Sequence, residues 1–520
     1  MSPVVSLLND VMGPVMRGPS SSHTAGSHRI AVLAAALLGV RPVQVRLTFD
    51  PAGSYARVYR QQGSDRAFAA GFMGWPMTDD RFPDALEWTA REGIDLQFHI
   101  APQAGSGHPN TVAIDLTAED GRRLSLSARS IGGGAVEVTD IDGWPIRLTG
   151  ETWGVFAEAS ADSAASLQSL VTADGLGTDA PTLTRRNERV LVQAHRLGPL
   201  PADARARLAT TSGVAWVGES PPLAFIKRGP PLFESAADMV RLAEARSCSL
   251  GRLAAAYEAQ VLGLPERDVL DEMLRRLDVM RAAVRDGLGA QVPAMQLLTA
   301  SARQIAEADA RGILPAGGMH TRAAARAMAV MHVTSGGGVV CAAPTGGSAG
   351  ALAGVLVTLV DERGLSRERA ALALFAASAV GLVVAARATF AAEVAGCQVE
   401  IGAAGAMGAA AVVDAANGTA RQAADAAAIA FQNTMGSVCD LVQGMVEIPC
   451  HTRNALAASS AFVCADLIVG GYSNPIPLDE TVDAVYAVGR MLPRELRCTA
   501  LGGLAVTPSA LRLVRTAPSD

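Results

Sequence analysis

The sequence predicts a multidomain α+β chain: an α/β part over residues 1–150, a small βαββαβ-type module over 151–225, and an all-helical domain over 233–520. Three observations carry this. Val43–Phe49 and Thr111–Leu116 alternate apolar and polar residues as half-buried strands do. Short strand and helix signals crowd residues 151–222. From about 233 onward the chain is almost all helix formers, rich in Ala and poor in aromatic residues.

Taken in order, Ala31–Leu38 reads as a helix between the loop at 17–26 and the Val43 strand. The module has strand signals at Trp153–Ala157, Val190–Ala194 and Val214–Val217 and a helix near Ser163–Val171, a content that suits a βαββαβ unit. Gly229-Pro230-Pro231 marks its end. Leu270–Leu288 has helical apolar spacing and stops at Gly287 and Gly289. Gly336–Gly338 and Pro344–Gly350 interrupt the helical pattern as loops. No repeat of 20–50 residues recurs, which argues against a solenoid.

Composition narrows the function. The chain has 520 residues, 49% of them hydrophobic, and a net charge of −6 with no basic block, so nucleic acid is not an expected partner. The start lacks the basic and apolar regions of a signal peptide, and seven cysteines without one point to a reducing, cytoplasmic setting. The apolar run Ala370–Ala386 approaches a membrane span in length, but its Ala content and the stop at Arg387 favour a buried helix; no membrane is expected. Lys227 is the only lysine and sits in a Pro/Gly junction. Pyridoxal phosphate chemistry, which needs a Schiff-base lysine, is therefore not expected.

Three cysteines stand out: Cys397 in Ala-Gly-Cys-Gln, Cys439 in Val-Cys-Asp, and Cys450 in Ile-Pro-Cys-His-Thr-Arg-Asn. They are 42 and 11 residues apart, which is not zinc-type spacing. Spacing alone leaves a shared metal site and three buried packing residues both open. Cys248, Cys341, Cys464 and Cys498 lie in ordinary helical surroundings and are assigned to packing. The loop Gly18-Pro19-Ser20-Ser21-Ser22-His23-Thr24 precedes a helix-forming run. It is either a capped helix start or an anion site with a titratable His, and five successive polar side chains exceed what a cap needs. His108-Pro109-Asn110-Thr111 and Ser130-Ile131-Gly132-Gly133-Gly134 are loops where a ligand could approach the backbone, or plain turns. Pro344-Thr345-Gly346-Gly347-Ser348 looks like a phosphate loop but lacks its Lys, so ATP is not supported.

Together these segments resemble the iron–sulfur-dependent L-serine dehydratases. The N-terminal part resembles the β chain through residues 18–24, Gly63-Ser64-Asp65, 108–111 and 130–134. The C-terminal part resembles the α chain through 344–350, Gly396-Cys397-Gln398, Cys439-Asp440, 447–454 and 502–508, so that the chain looks like a β–α fusion. Residues 151–225 fall where two-subunit members carry an ACT regulatory domain, and the pairing habit of such modules suggests a homodimer.

The resemblance implies a [4Fe–4S] cluster on Cys397, Cys439 and Cys450, with a free iron acting as Lewis acid on a β-hydroxy amino acid. L-serine would lose water, then give pyruvate and ammonia. It implies catalytic roles for His23, Ser22 and Thr24. It implies substrate contacts from Ser20, Ser21, Ser22, His108, Asn110, Thr111, Ser130, Gly132, Gly133, Thr345, Ser348, Arg453 and Asn454. The chain departs from the family pattern at Gln62, where the family has His, at Leu441, where it has Pro, and at Ala391-Ala392. These changes imply an altered substrate site. Another β-hydroxy acid, elimination of a thiol, and an inactive amino-acid or oxygen sensor are the alternative readings.

Overall fold

The computed structural model describes residues 4–103 and 107–515. The first unit is a six-stranded sheet in the order Asp95–Ile100, Pro42–Phe49, Thr111–Ala118, Arg123–Gly132, Ala135–Ile141, Trp144–Leu148. The first two strands are parallel and the other pairs antiparallel. Alternation sends Val45, Leu47, Phe49, Val112, Ile114, Leu116, Leu124 and Leu126 to one face. There they meet Ile30, Leu33 and Leu37 of the helix Gly26–Leu38 and Phe68 of the helix Ser64–Phe72.

His28 on that first helix is buried and its ring donates to the Trp75 carbonyl at 2.7 Å. Burial pushes its pKa down to about 4, against the Trp75 hydrogen bond and aided by Arg29. The unfolded chain therefore binds this proton first. The stability is fully present above pH ~6.5 and is lost as pH falls through about 4, by up to about 3 kcal/mol. His28→Gln is expected to flatten the decline in melting temperature between pH 6.5 and 4. An unchanged slope would remove His28 from the acid response.

Residues 153–220 form a second sheet in the order Val214–Ser220, Trp153–Ser160, Arg189–Arg196, Thr182–Arg186, antiparallel throughout. Helices Ala164–Thr172 and Ala202–Thr210 are interleaved, so the chain order is βαββαβ and the spatial order is fourth–first–third–second. Its own core is built on Val155, Ala157, Leu167, Val192, Leu200 and Leu208.

The remainder, expected to be all-helical, is helical apart from one short strand, Val339–Cys341. Ser235, Ser249, Ser366 and Thr419 each cap a helix by accepting the backbone N–H three residues on. Arg367–Arg387 is the central helix, packed against Leu250–Leu262, Glu266–Gly287 and Ile401–Ala415. It is long and apolar enough to cross a membrane, but 83% of its most apolar window is buried inside the fold. Ala and Gly let these helices come close. A Cβ on Gly287 would lie 2.0 Å from the Ala329 carbonyl oxygen of the neighbouring helix Met319–Ser335.

One connection decides where the site forms. Residues 4–17 precede the first sheet in sequence, yet they pack in the helical core through Leu7, Leu8, Val11 and Met12. Buried Glu258 accepts from Ser6 Oγ and from the backbone N–H groups of Leu7 and Leu8 at 2.7 and 3.0 Å. Val15–Arg17 then pairs antiparallel with Val339–Cys341. The serine-rich loop that follows is thereby anchored against the helical unit.

Candidate active site

The loop and the helical unit meet closely. Ser20 accepts from the His23 N–H, and Ser21–Ala25 form a π-helical turn with Ser21, Ser22, His23 and Thr24 all buried. A Cβ on Gly346 would stand 3.0 Å from Ser21 N, so Thr345–Gly347 lies directly on the loop. Gly132, at φ 105°, approaches Ala391 so nearly that a Cβ would fall 2.9 Å from its nitrogen. The glycine loop of the first sheet thus abuts the segment leading to Cys397.

His23 is fully buried, with one ring nitrogen at each end of a polar row. Nδ1 lies 3.4 Å from Glu393 Oε1, and Nε2 lies 3.1 Å from Ser54 Oγ. Asn110 Nδ2 donates to the same Glu393 oxygen at 3.1 Å. Burial pushes the His23 pKa down to about 4, against the opposing pull of Glu393, so the ring is neutral and free to accept a proton near pH 7. Ser21 Oγ, Asn110 Oδ1 and Glu393 Oε2 are buried polar atoms without a hydrogen-bond partner among the described residues. Buried polar groups are normally paired, so a set of orphans around one histidine is a place for a polar ligand.

Cys397, Cys439 and Cys450 are 2%, 3% and 6% exposed and share an apolar cluster with Met331, Ile401, Leu441 and Val446. The ligand atoms of Cys397, Cys439 and half-buried Glu400 lie within 4.8 Å of one another. A hydrogen bond from Cys439, then Arg453 beside it, holds the Cys397 thiol below its usual pKa against burial. Hydrogen bonds to Cys397 and Cys498, with burial, push Cys439 well above its own. Burial, the Cys397 thiolate and Glu393 push the Glu400 carboxyl well above the ordinary carboxylate range. Adjacent buried thiols in an apolar shell are soft-metal donors, and this donor set fits an iron–sulfur group.

The expected substrate residues divide. Ser20 Oγ lies 3.3 Å from His23 Nδ1 and Asn110 reaches Glu393, while Ser21 and Ser22 are buried in the same turn as His23, Ser130 is buried against Gly26, and Gly132 lies on Ala391. Thr24 Oγ1 is committed to the Gln62 carbonyl at 2.8 Å. Half-buried His108 accepts from the Asn110 N–H at 3.2 Å, and Thr111 Oγ1 donates to the His108 carbonyl at 2.9 Å, so both shape the Asn110 turn. Gly133 packs on Phe390. Thr345 and Ser348 hydrogen-bond each other at 2.9 Å as a capping pair. Asn454 ties Ala351 N, Gly347 O and Cys450 O together, and Arg453 spans Asp440 at 2.9 Å, Val438 O at 2.8 Å and Cys397 Sγ at 3.8 Å. Both fasten the cysteine-bearing segments.

Three residues were missing from the sequence reading. Glu393 and Glu400 are two of them, and their signal was available: they are the only charged side chains between Arg387 and Asp414, and they flank Cys397. Ser54 had no signal beyond its type. Cys498, assigned to packing, is buried in the same apolar cluster as the other three thiols.

The family model described as serine dehydratase alpha chain matches residues 155–505. A probable L-serine dehydratase alpha chain of Bacillus subtilis is 36% identical over 282 residues, covering 54% of this chain and 94% of that protein. The L-serine dehydratase alpha chain of Peptoniphilus asaccharolyticus is 31% identical, covering 55% of this chain and 98% of its own. A probable L-serine dehydratase beta chain of Bacillus subtilis is 40% identical over 141 residues, covering 27% of this chain and 62% of that protein.

Proposed function

Because this chain belongs to the iron–sulfur L-serine dehydratase family, we propose that it is a lyase that removes water from L-serine to give pyruvate and ammonia. The observation that carries this reading is the convergence of Cys397, Cys439 and Cys450 beside a buried Glu393–His23–Ser54 row. Cys397, Cys439 and Cys450 would hold a [4Fe–4S] cluster, which when bound supplies a Lewis acid for the departing hydroxyl.

The chain's own residues do the rest. Ser20, Ser21, Ser22 and Asn110 offer hydroxyl and amide groups to the substrate carboxylate. The Cα proton of an amino acid is a weak acid and needs a base positioned against it. Neutral His23 is that base, with Glu393 stabilising the imidazolium as the proton arrives. The apolar shell of Ile401, Leu441 and Val446 excludes water, which strengthens these contacts. Elimination leaves aminoacrylate, which tautomerises and hydrolyses. The βαββαβ unit would act as an ACT-like regulatory module, the chain would pair as a homodimer, and the setting would be cytoplasmic.

Gln62 supports a second reading, an altered substrate. Its amide faces Cys498 Sγ and the Gly444 carbonyl, both at 3.5 Å, and presents a group that cannot titrate. Anaerobic reconstitution followed by assay with L-serine, L-threonine, larger β-hydroxy acids and L-cysteine tests both. Pyruvate from L-serine in the iron-loaded protein is the expected result. A reconstituted protein inert to L-serine but active on a larger β-hydroxy acid would replace the substrate. Sulfide release from L-cysteine alone would replace the reaction.

A further inference from the structure

The one lysine of the chain marks a junction outside the active site. Lys227 Nζ donates to the Val4 carbonyl at 2.6 Å and pairs with Glu151 at 2.6 Å and Asp10 at 2.9 Å. An ammonium has three protons, and all three are engaged. These contacts draw together the N-terminal segment, the chain after the strand Trp144–Leu148, and the Pro/Gly junction after the second sheet. Beside them lies a cavity of about 290 Å³. Its far wall is Ile131, Gly132 and Gly133 of the glycine loop and Ala385, Thr389 and Phe390 of the helical unit. Its size matches the lower end of small-molecule pockets, which begin at roughly 300 Å³.

Arg29 of the helix Gly26–Leu38 also lines this cavity. Its Nη1 donates to the Gly134 carbonyl at 2.8 Å. Its Nε is buried and has no hydrogen-bond partner among the described residues. Burial pushes the pKa of the guanidinium down, opposed by Asp10. Asp10, however, is already paired with Lys227 and accepts the Ser6 N–H at 2.8 Å. The other charges on the wall are engaged too: Lys227 holds Glu151, and Arg147 pairs with Glu137 at 3.2 Å. A ligand therefore meets one under-paired cation and carboxylates that already have partners. That balance favours a single negative charge over a zwitterion. A guanidinium suits a carboxylate, which it can grip through two parallel N–H bonds. The rest of the lining is apolar, with Val5, Val136 and Leu223 beside Phe390.

We propose that this cavity is a binding site for a small monocarboxylate with an apolar tail, its carboxylate on Arg29 and its tail against Val136, Leu223 and Phe390. The site also bears on the active site. Gly133 packs on Phe390, and Gly132 packs on Ala391, two residues before Glu393. A ligand against Phe390 therefore presses on the segment that places Glu393 beside His23. This coupling rests on the serine dehydratase reading above; the binding site does not.

Butyrate is the probe, with butyramide as its uncharged counterpart. Binding is measured by calorimetry on the full-length, anaerobically reconstituted protein, on Arg29→Gln, and on Ala385→Leu, which fills the cavity from the central helix and leaves Arg29 in place. The native protein is expected to bind butyrate saturably and at least ten-fold more tightly than butyramide. Each variant is expected to bind butyrate at least ten-fold more weakly. No saturable binding by the native protein, equal binding of butyramide, or native affinity in either variant would overturn the site. Thermal melts show which variants are folded, and the butyrate–butyramide comparison needs no variant. Rates with L-serine then test the coupling. Saturating butyrate is expected to change kcat/KM at least two-fold in the native protein and not in Ala385→Leu. No change in the native protein, or a change shared by both as competition at the active site would give, would overturn the coupling. A native protein inert to L-serine would instead overturn the serine dehydratase reading, and the calorimetry would still decide the site.

Discussion

Cys397→Ala is expected to remove iron binding and lyase activity together, with activity falling by roughly 10³-fold or more, equivalent to about 4 kcal/mol of transition-state stabilisation. Cys397 lies within 4.8 Å of the ligand atoms of Cys439 and Glu400, and Arg453 donates to it while also gripping Asp440 and Val438. Cys464→Ala is the control. Cys464 is also buried but packs in the main helical core, outside the cluster that holds Cys397, Cys439 and Cys450. Its loss is expected to cost about 1–2 kcal/mol of stability through the cavity left behind and to leave iron content unchanged. Iron and sulfide counts, pyruvate formation and thermal melts separate the two outcomes. A Cys397→Ala protein with native iron content and activity would sink the assignment of Cys397 as a ligand.

The contrast between those two cysteines shows how far the sequence reaches. Local pattern located the regular elements well, because alternation and helical spacing are local. Thr111–Leu116 extends to Ala118, and Leu270–Leu288 corresponds to Glu266–Gly287. Thr182–Arg186 escaped notice because it is an edge strand with no fully buried residue, so no alternation marks it. Ala202–Thr210 escaped because only Ala204 and Leu208 are buried in an otherwise polar helix. Long-range closure was beyond local pattern altogether. Nothing near Leu7, Leu8 and Val11 says that they pack under Glu258 rather than on the first sheet. Cys498 looks like Cys464 in sequence and differs from it only because the 496–498 backbone pairs with Cys439. Motif resemblance pointed to His23 and the three cysteines, but not to Glu393, which meets His23 where Gly132 lets the first sheet settle against Ala391.

His23→Gln is expected to lower kcat by roughly 10²–10⁴-fold with little change in KM and no change in iron content, the range for removing a positioned acid–base group. Gln fills similar space and still reaches Ser54, so the row Glu393–His23–Ser54 loses its proton acceptor rather than its packing. The pH dependence gives the sharper readout. Burial holds the His23 pKa at about 4 and Glu393 is what keeps it from falling further. The ring therefore stays neutral as pH drops from 7, and activity that depends on it is lost only as pH approaches about 4. In Glu393→Gln the amide keeps a polar partner for Asn110, but the charge that raised the His23 pKa is gone. The acid limb of kcat/KM should then move to lower pH, while kcat itself falls because the imidazolium has lost its counter-charge. Iron counts and melting temperature at each pH separate this from cluster loss or unfolding. If His23→Gln keeps more than about a tenth of the native kcat with full iron content, a loss well short of the general-base range, the proton must be taken elsewhere. The half-buried Glu400 carboxyl beside Cys397 would then be the group to change next.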